Sequence, residues 1–227
     1  MVDRRTSGVP LEHVVGWAEF CGIHIEVDPG VFVPRRRSEL LVREAVSLAG
    51  STAVIVDLCC GSGAVGAAIA ASVDEPELHV ADIDRAAVRC ANRNVAGAGG
   101  TVYEGDLYDP LPASLRGRVD LLVANAPYVP SDEIDLLPAE ARLHEPRVAL
   151  DGGVDGLAIQ RRVISEAPRW LATGGHLLIE TSERQAALTA DAVVTSGLVA
   201  RVARSAPLQA TVVVGTAGPF GSGHRVM

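Results

Sequence analysis

The apolar residues of this chain come in short blocks separated by stretches of helical spacing. Val54-Ile-Val56 runs into Asp57, a glycine-rich turn follows, and small residues continue from Ala64 to Ala71. That order predicts a buried strand, a tight loop and a helix. Ahead of it, residues 17–20 and 23–27 alternate apolar and polar around Cys21-Gly22, the pattern of a β-hairpin. Residues 38–49 carry a broad apolar helical face, with Ser38 placed as its N-cap. Further strands are predicted over 77–82, 101–104, 119–124 and 176–181. Helices are predicted over 85–96 with Asp84 as cap, over 157–171, and over 185–195. A proline-rich, acidic loop leads to Asp155. Residues 198–204 and 211–215 form a closing strand pair joined by a short link.

Strands that alternate with helices predict an α/β fold, a mostly parallel sheet covered on both faces. Ligands of such sheets bind at the carboxyl ends of the strands, where the strand order reverses. The glycine loop, Asp82, Asp106 and Asn125 all fall at such ends. The chain divides into an N-terminal segment with the hairpin (1–33), the α/β domain (34–216) and a mobile glycine-rich tail (217–227).

Composition narrows the chemistry. The 227 residues are 48% hydrophobic, enough for one large core. A net charge of -8 argues against a nucleic-acid partner. No apolar run approaches the ~18 residues of a membrane span, and no signal-peptide core is present, so a cytoplasmic protein is expected. All 20 basic residues are arginine. Without lysine, a Walker phosphate loop and Schiff-base chemistry are excluded. Cys21, Cys59, Cys60 and Cys90 form no C-x-x-C, and Cys59 and Cys60 suit tight packing in the glycine loop. The six histidines lack ligand spacing, so no metal site is expected.

Gly61, Gly63 and Gly66 make a G-x-G-x-x-G between a strand and a helix. Asp82 ends the second strand, where a carboxylate can accept from both ribose hydroxyls of an adenosine ligand. Asp84 already serves as the N-cap, which leaves Asp82 for the ligand. Asp106 can accept from an adenine amino group or serve a plain turn. Asp57 can hold the loop's amides or a ligand amino group. An anionic rim suits the sulfonium of S-adenosylmethionine (AdoMet) better than the pyrophosphate of NAD. The expected cofactor set is Asp57, Cys59, Gly61, Gly63, Asp82, Ile83, Asp106 and Leu107, with Asn125.

Asn125-Ala126-Pro127-Tyr128 follows the fourth strand. It resembles the (N/D)-P-P-Y motif of methyltransferases that act on planar nitrogens. Such a nitrogen is a poor nucleophile because its lone pair is delocalised. Two acceptors on its N–H bonds return density to it: the Asn125 side-chain oxygen and the Ala126 carbonyl. Tyr128 can stack on the planar group, and Pro127 keeps Ala126 extended.

From Arg4 to Gly215 the chain resembles the protein-glutamine N-methyltransferases of the HemK/PrmC type, which modify the Gly-Gly-Gln motif of peptide release factors. The matching stretches include Val31-Phe-Val-Pro-Arg35, Val56-Asp-Leu-Cys-Cys-Gly-Ser-Gly-Ala64, Gly105-Asp-Leu107, Asn125-Ala-Pro-Tyr-Val-Pro130 and Glu145-Pro-Arg147. The resemblance implies a Rossmann-like class I methyltransferase with a seven-stranded, mostly parallel sheet whose last strand is antiparallel. It implies AdoMet at the Gly61 loop and Asp82, S-adenosylhomocysteine as product, and a glutamine amide held by Asn125 and Ala126. A monomer acting on a protein substrate, a release factor or a related protein, is expected. The sequence departs from the family in three places. The helical docking domain that precedes the family's catalytic domain has no counterpart here. Arg36-Arg37-Ser38-Glu39 replaces its acidic cluster, and Ala126 replaces its proline. Two alternatives stay open: N-methylation of a small molecule or nucleobase, and AdoMet binding without catalysis.

Overall fold

A computed structural model describes residues 2–218. The tail expected to be mobile over 217–227 lies, from residue 219 on, outside the described residues. Two short helices, α1 (Val2–Thr6) and α2 (Leu11–Val15), lead into the hairpin of β1 (Trp17–Phe20) and β2 (Ile23–Glu26). Its turn residues Cys21 and Gly22 both have positive φ (51° and 78°). That geometry matches the right-handed twist of the paired strands. There follow α3 (Glu39–Leu48), β3 (Thr52–Leu58), α4 (Ala64–Ala70), β4 (Glu75–Asp82), α5 (Arg85–Val95) and β5 (Thr101–Glu104). The second half holds β6 (Val119–Ala124), α6 (Ala139–His144), α7 (Ala158–Glu166), β7 (Leu171–Thr181), α8 (Ala186–Thr195), β8 (Val199–Ser205) and β9 (Ala210–Thr216).

Seven strands form one sheet in the order β5-β4-β3-β6-β7-β9-β8. Only β9 runs antiparallel to its neighbours, and it lies between β7 and β8. This is the α/β sheet, with its antiparallel last strand and separate hairpin, that the sequence led us to expect. Alternate residues of each strand feed two apolar layers. Ile55, Leu78, Val80 and Val123 pack with Leu41 of α3 and Ile69 of α4. Val56, Leu58, Leu122 and Ile179 pack with Val163 and Ile164 of α7. Phe20, Ile25 and Val27 of the hairpin region join the first layer, so the hairpin is seated on the sheet's own core.

Four local expectations need correction. Ser38 is not an N-cap: its backbone is helical (φ -68°, ψ -9°), and it ends a 3-10 turn over Arg36–Ser38. A capping residue needs an extended backbone so that its oxygen can reach back to the first amides. The helix expected over 157–171 ends at Glu166, because Pro168 carries no N–H and a 3-10 turn over Ala167–Arg169 takes its place. β7 starts at Leu171 and runs through Gly174-Gly175 with a register irregularity opposite β6, rather than starting at His176. The acidic loop before Asp155 is also partly regular. It holds α6 and a parallel bridge between Val129 and Asp151.

Candidate active site

Strand order reverses at β3: β4 and β5 lie on one side of it, β6 and β7 on the other. The carboxyl ends of β3 and β6 part there and open a cleft. Asp57, one residue from the end of β3, is buried, and its Oδ2 accepts from the Gly66 amide at 2.9 Å. A Cβ at Gly66 would lie 3.0 Å from Val80 Cγ1 and 3.1 Å from Asp57 Oδ2. The third glycine of the motif therefore lets α4 sit close against the sheet.

Burial pushes the Asp57 carboxyl up to about 7, with Asp82 adding to the rise and the Gly66 amide opposing it. An acid whose folded pKa exceeds its unfolded value contributes stability only while protonated. That contribution is complete below the unfolded value of 3.8 and is lost as pH rises towards 7. We expect the unfolding free energy to drop over this window. Asp57→Asn keeps an acceptor for Gly66 and should remove on the order of 3–4 kcal/mol of the drop. Urea unfolding of both proteins across the window measures this; parallel pH profiles would show Asp57 to be ionised without cost.

The loop after β3 is fixed from two sides. Gly61 N donates to Asp82 Oδ2 at 2.8 Å, and Asp84 N donates to Asp82 Oδ1 at 2.9 Å. Asn94 Nδ2 donates to Ser62 O (2.8 Å) and to Glu26 O (2.9 Å), while Glu26 N donates to Asn94 Oδ1 (2.8 Å). One side chain on α5 thus ties the loop to the hairpin. Asp84 caps α5 as expected, its Oδ1 accepting from Ala86 N. Burial raises the pKa of Asp82 against the pull of the Asp84 and Gly61 amides. Cys59 and Leu107 hold positive φ (55° and 51°), a conformation that costs a non-glycine residue about 1–2 kcal/mol. Burial keeps the Cys59 and Cys60 thiols protonated, in keeping with a packing role. Asp106 forms a 2.8 Å ion pair with Arg162 of α7.

Asn125 stands just past β6, and its Nδ2 donates to Ser38 Oγ at 3.2 Å. Its Oδ1 is thereby left to serve as an acceptor. Tyr128 lies partly buried between Arg37, whose guanidinium is 5.7 Å from the ring centroid, and the carboxylate of Glu180. Burial first, and then Glu180, push the Tyr128 phenol up to about 12. Tyr128, Arg37 and Glu180 line a second cleft bounded by the β8–β9 turn.

Of the residues singled out from the sequence, Asp57, Cys59, Gly61, Asp82, Ile83, Asp106, Leu107, Asn125 and Pro127 share the first cleft. Tyr128 lines the second. Ala126 is fully buried. Gly63 does not line the cleft; a Cβ there would press on Val95 and Ala91 of α5. Sequence reasoning missed Arg162, Glu180 and the polar role of Ser38, and gave Phe32 no place although it lines the first cleft. Glu180 carried a usable signal, since it sits at the carboxyl end of a sheet strand like the others.

Over residues 22–190 the chain matches the family model of the methyltransferase small domain. It is 38% identical over 188 residues to a release factor glutamine methyltransferase of Geobacter sulfurreducens, covering 82% of this chain and 65% of that protein. It is also 38% identical over 193 residues to a 4-amino-L-phenylalanine/4-methylamino-L-phenylalanine methyltransferase of Streptomyces pristinaespiralis, covering 82% of this chain and 65% of that one. The chain spans about two thirds of the length of the curated relatives it matches. A methyltransferase from Pyrococcus furiosus shares the fold, with a TM-score of 0.68 at 16% identity over 96% of this chain and 100% of that one.

Proposed function

Because this chain belongs to the methyltransferase small-domain family, among the protein-glutamine methyltransferases of the HemK/PrmC type, we propose that it methylates the side-chain amide of a glutamine in a protein. The acceptor is a peptide-chain release factor or a related protein, and AdoMet is the methyl donor. The observation that carries this reading is Asn125, whose NH2 is taken by Ser38, so that its oxygen is left for the substrate's N–H.

The residues of the first cleft fit AdoMet. Asp82 can take a diol, while the charge of Asp106 is met by Arg162, which lines the same cleft. Ile83, Leu107 and Phe32 supply apolar wall. When bound, the donor supplies an electrophilic methyl group and leaves as S-adenosylhomocysteine. The protein's part is to hold the acceptor nitrogen. Asn125 Oδ1 accepts one of its N–H bonds, and we assign the other to the carbonyl of buried Ala126, with Tyr128 on the side of the neighbouring cleft. As positive charge develops on the nitrogen these acceptors bind more tightly, which lowers the barrier. The nitrogen gives its proton to water late, when the new N–C bond has made it acidic, and no strong base is required.

A second reading draws on the Streptomyces pristinaespiralis relative, a 4-amino-L-phenylalanine/4-methylamino-L-phenylalanine methyltransferase. An aryl nitrogen is also conjugated and makes the same demand for acceptors. No described helix is long and apolar enough to cross a membrane, and we take the protein to act in the cytoplasm as a monomer. Radiolabelled AdoMet is to be incubated with the protein and, in separate tubes, with purified release factor, 4-amino-L-phenylalanine and cell extract. Mass spectrometry then locates the label. Methyl on a glutamine amide is the expected result; label only on the small amine would favour the second reading. No transfer to any acceptor would overturn both.

A further inference from the structure

Asp106 and Arg162, an ion pair at 2.8 Å, both line the first cleft. The turn that carries Asp106 is fixed through its backbone. Gly105 N donates to Asp82 O at 3.0 Å, and Asp109 N donates to Asp106 O at 3.0 Å. A Cβ at Gly105 would lie 2.9 Å from Pro110, so the turn is also tightly packed. Arg162 comes from α7, where Ile159, one turn earlier, lines the cleft as well. Arg162 Nη2 donates to Asp106 Oδ2. Among the described residues no other donor meets the Asp106 carboxylate, and Oδ1 is left open.

A fixed backbone still leaves a side chain its choice of rotamer. Asp106 and Arg162 also line a third cleft, and there Arg116 lies over the Trp170 ring, 5.3 Å from its centroid. Among the described residues Arg116 has no ion pair, so a released Asp106 has a second cation to turn to. The Asp106 and Arg162 side chains are 40% and 52% exposed, and a pair as open as this adds little to stability. What Arg162 supplies is direction.

A nucleoside whose diol is taken by Asp82 has its base next to that ribose, beside the turn that Asp82 O holds. Ile83 and Leu107 line the cleft there with apolar surface. An ionised carboxylate can only accept hydrogen bonds. It suits the exocyclic NH2 of an aminopurine and repels the carbonyl oxygen that replaces it in the deaminated base. We propose that Arg162 is a specificity-determining residue of the donor cleft: by holding Asp106 Oδ2 it keeps Oδ1 turned to the base, and so makes the cleft select an aminopurine nucleoside over its deaminated form. The proposal rests on AdoMet as donor, whichever nitrogen receives the methyl group.

Calorimetry with S-adenosylhomocysteine and with its deaminated form, S-inosylhomocysteine, reads this selection without any acceptor. The wild-type protein should bind the adenosyl compound at least about 30-fold more tightly. Arg162→Met keeps the aliphatic stem and removes the guanidinium. The ratio should then fall about five- to tenfold, through weaker binding of the adenosyl compound, and Arg162→Lys should recover part of it. Asp106→Ala should bring the two ligands within about threefold of each other. A merely structural role for the ion pair would weaken both ligands alike and leave the ratio as it was. An unchanged ratio in Arg162→Met therefore overturns the proposal, and so does a wild-type ratio near one. Failure of the wild-type protein to bind either compound would overturn the donor reading with it. A ratio that falls as expected supports the proposal even where no acceptor is methylated, and in that case the glutamine reading fails alone.

Discussion

Asn125→Ala will lower kcat by about 10²–10³, with AdoMet affinity within a few-fold of wild type. The reaction is a direct displacement, so the enzyme must align the amide nitrogen, the methyl carbon and the sulfur. On the proposed reading the Ala126 carbonyl remains, so alignment survives the substitution in part. One of two acceptors is lost, and it is lost where charge develops. The scale is that of deleting one oxyanion-hole donor. Asn125 also lines the first cleft, but much of that wall comes from the carboxyl ends of β3 and β4, the loops that follow them and the loop after β5. Asn125→Asp keeps an acceptor and adds a charge beside the donor pocket, and partial activity is expected. Single-turnover transfer to the acceptor found in the labelling experiment gives the test. A wild-type rate in Asn125→Ala would reduce the motif to a turn at the end of β6.

Asp82→Ala is expected to weaken AdoMet about 30- to 150-fold, or roughly 2–3 kcal/mol. The carboxylate would be lost as a partner for ligand hydroxyls. It would also be lost as the acceptor for the Gly61 and Asp84 amides. Asp82→Asn separates the two losses, since its single oxygen can still serve one amide. It should fall between wild type and Asp82→Ala in calorimetry, with little change in unfolding temperature. Equal affinity in wild type and Asp82→Ala would take Asp82 out of the site.

The rim was legible in the sequence because its parts are local. The glycine loop, the Asp after a short apolar block and the Asn-Ala-Pro-Tyr step each occupy a few consecutive residues, and the strand pattern places them at one edge. Ser38 and Glu180 were not legible in their roles. Asn125 meets Ser38 across 87 residues, and Arg37 meets Glu180 across 143. No local period reports a contact of that span. Ser38 also offered a competing local explanation, since a serine before an apolar helical run reads as a cap. The start of β7 was misplaced for a similar reason. Leu171 and Ala172 continue the helical run in composition, and only pairing with β6 makes them strand. Arg162 was missed because its partner Asp106 lies on a different element.

The position of β9 bears on how the protein is made. β8 is joined to the sheet through β9 alone, and β9 is synthesised after it. Until residues 210–216 leave the ribosome, β8 has no place to add, and the outer edge of β7 stays bare. An open apolar edge is a template for wrong pairing. The other end of the sheet waits for nothing: β3, β4 and β5 pair among themselves in the order in which they emerge. Biogenesis is thereby staged. The donor half, with its glycine loop, can mature on the nascent chain. The other half, where β7 carries Glu180, becomes whole only when the last strand slides between its two neighbours.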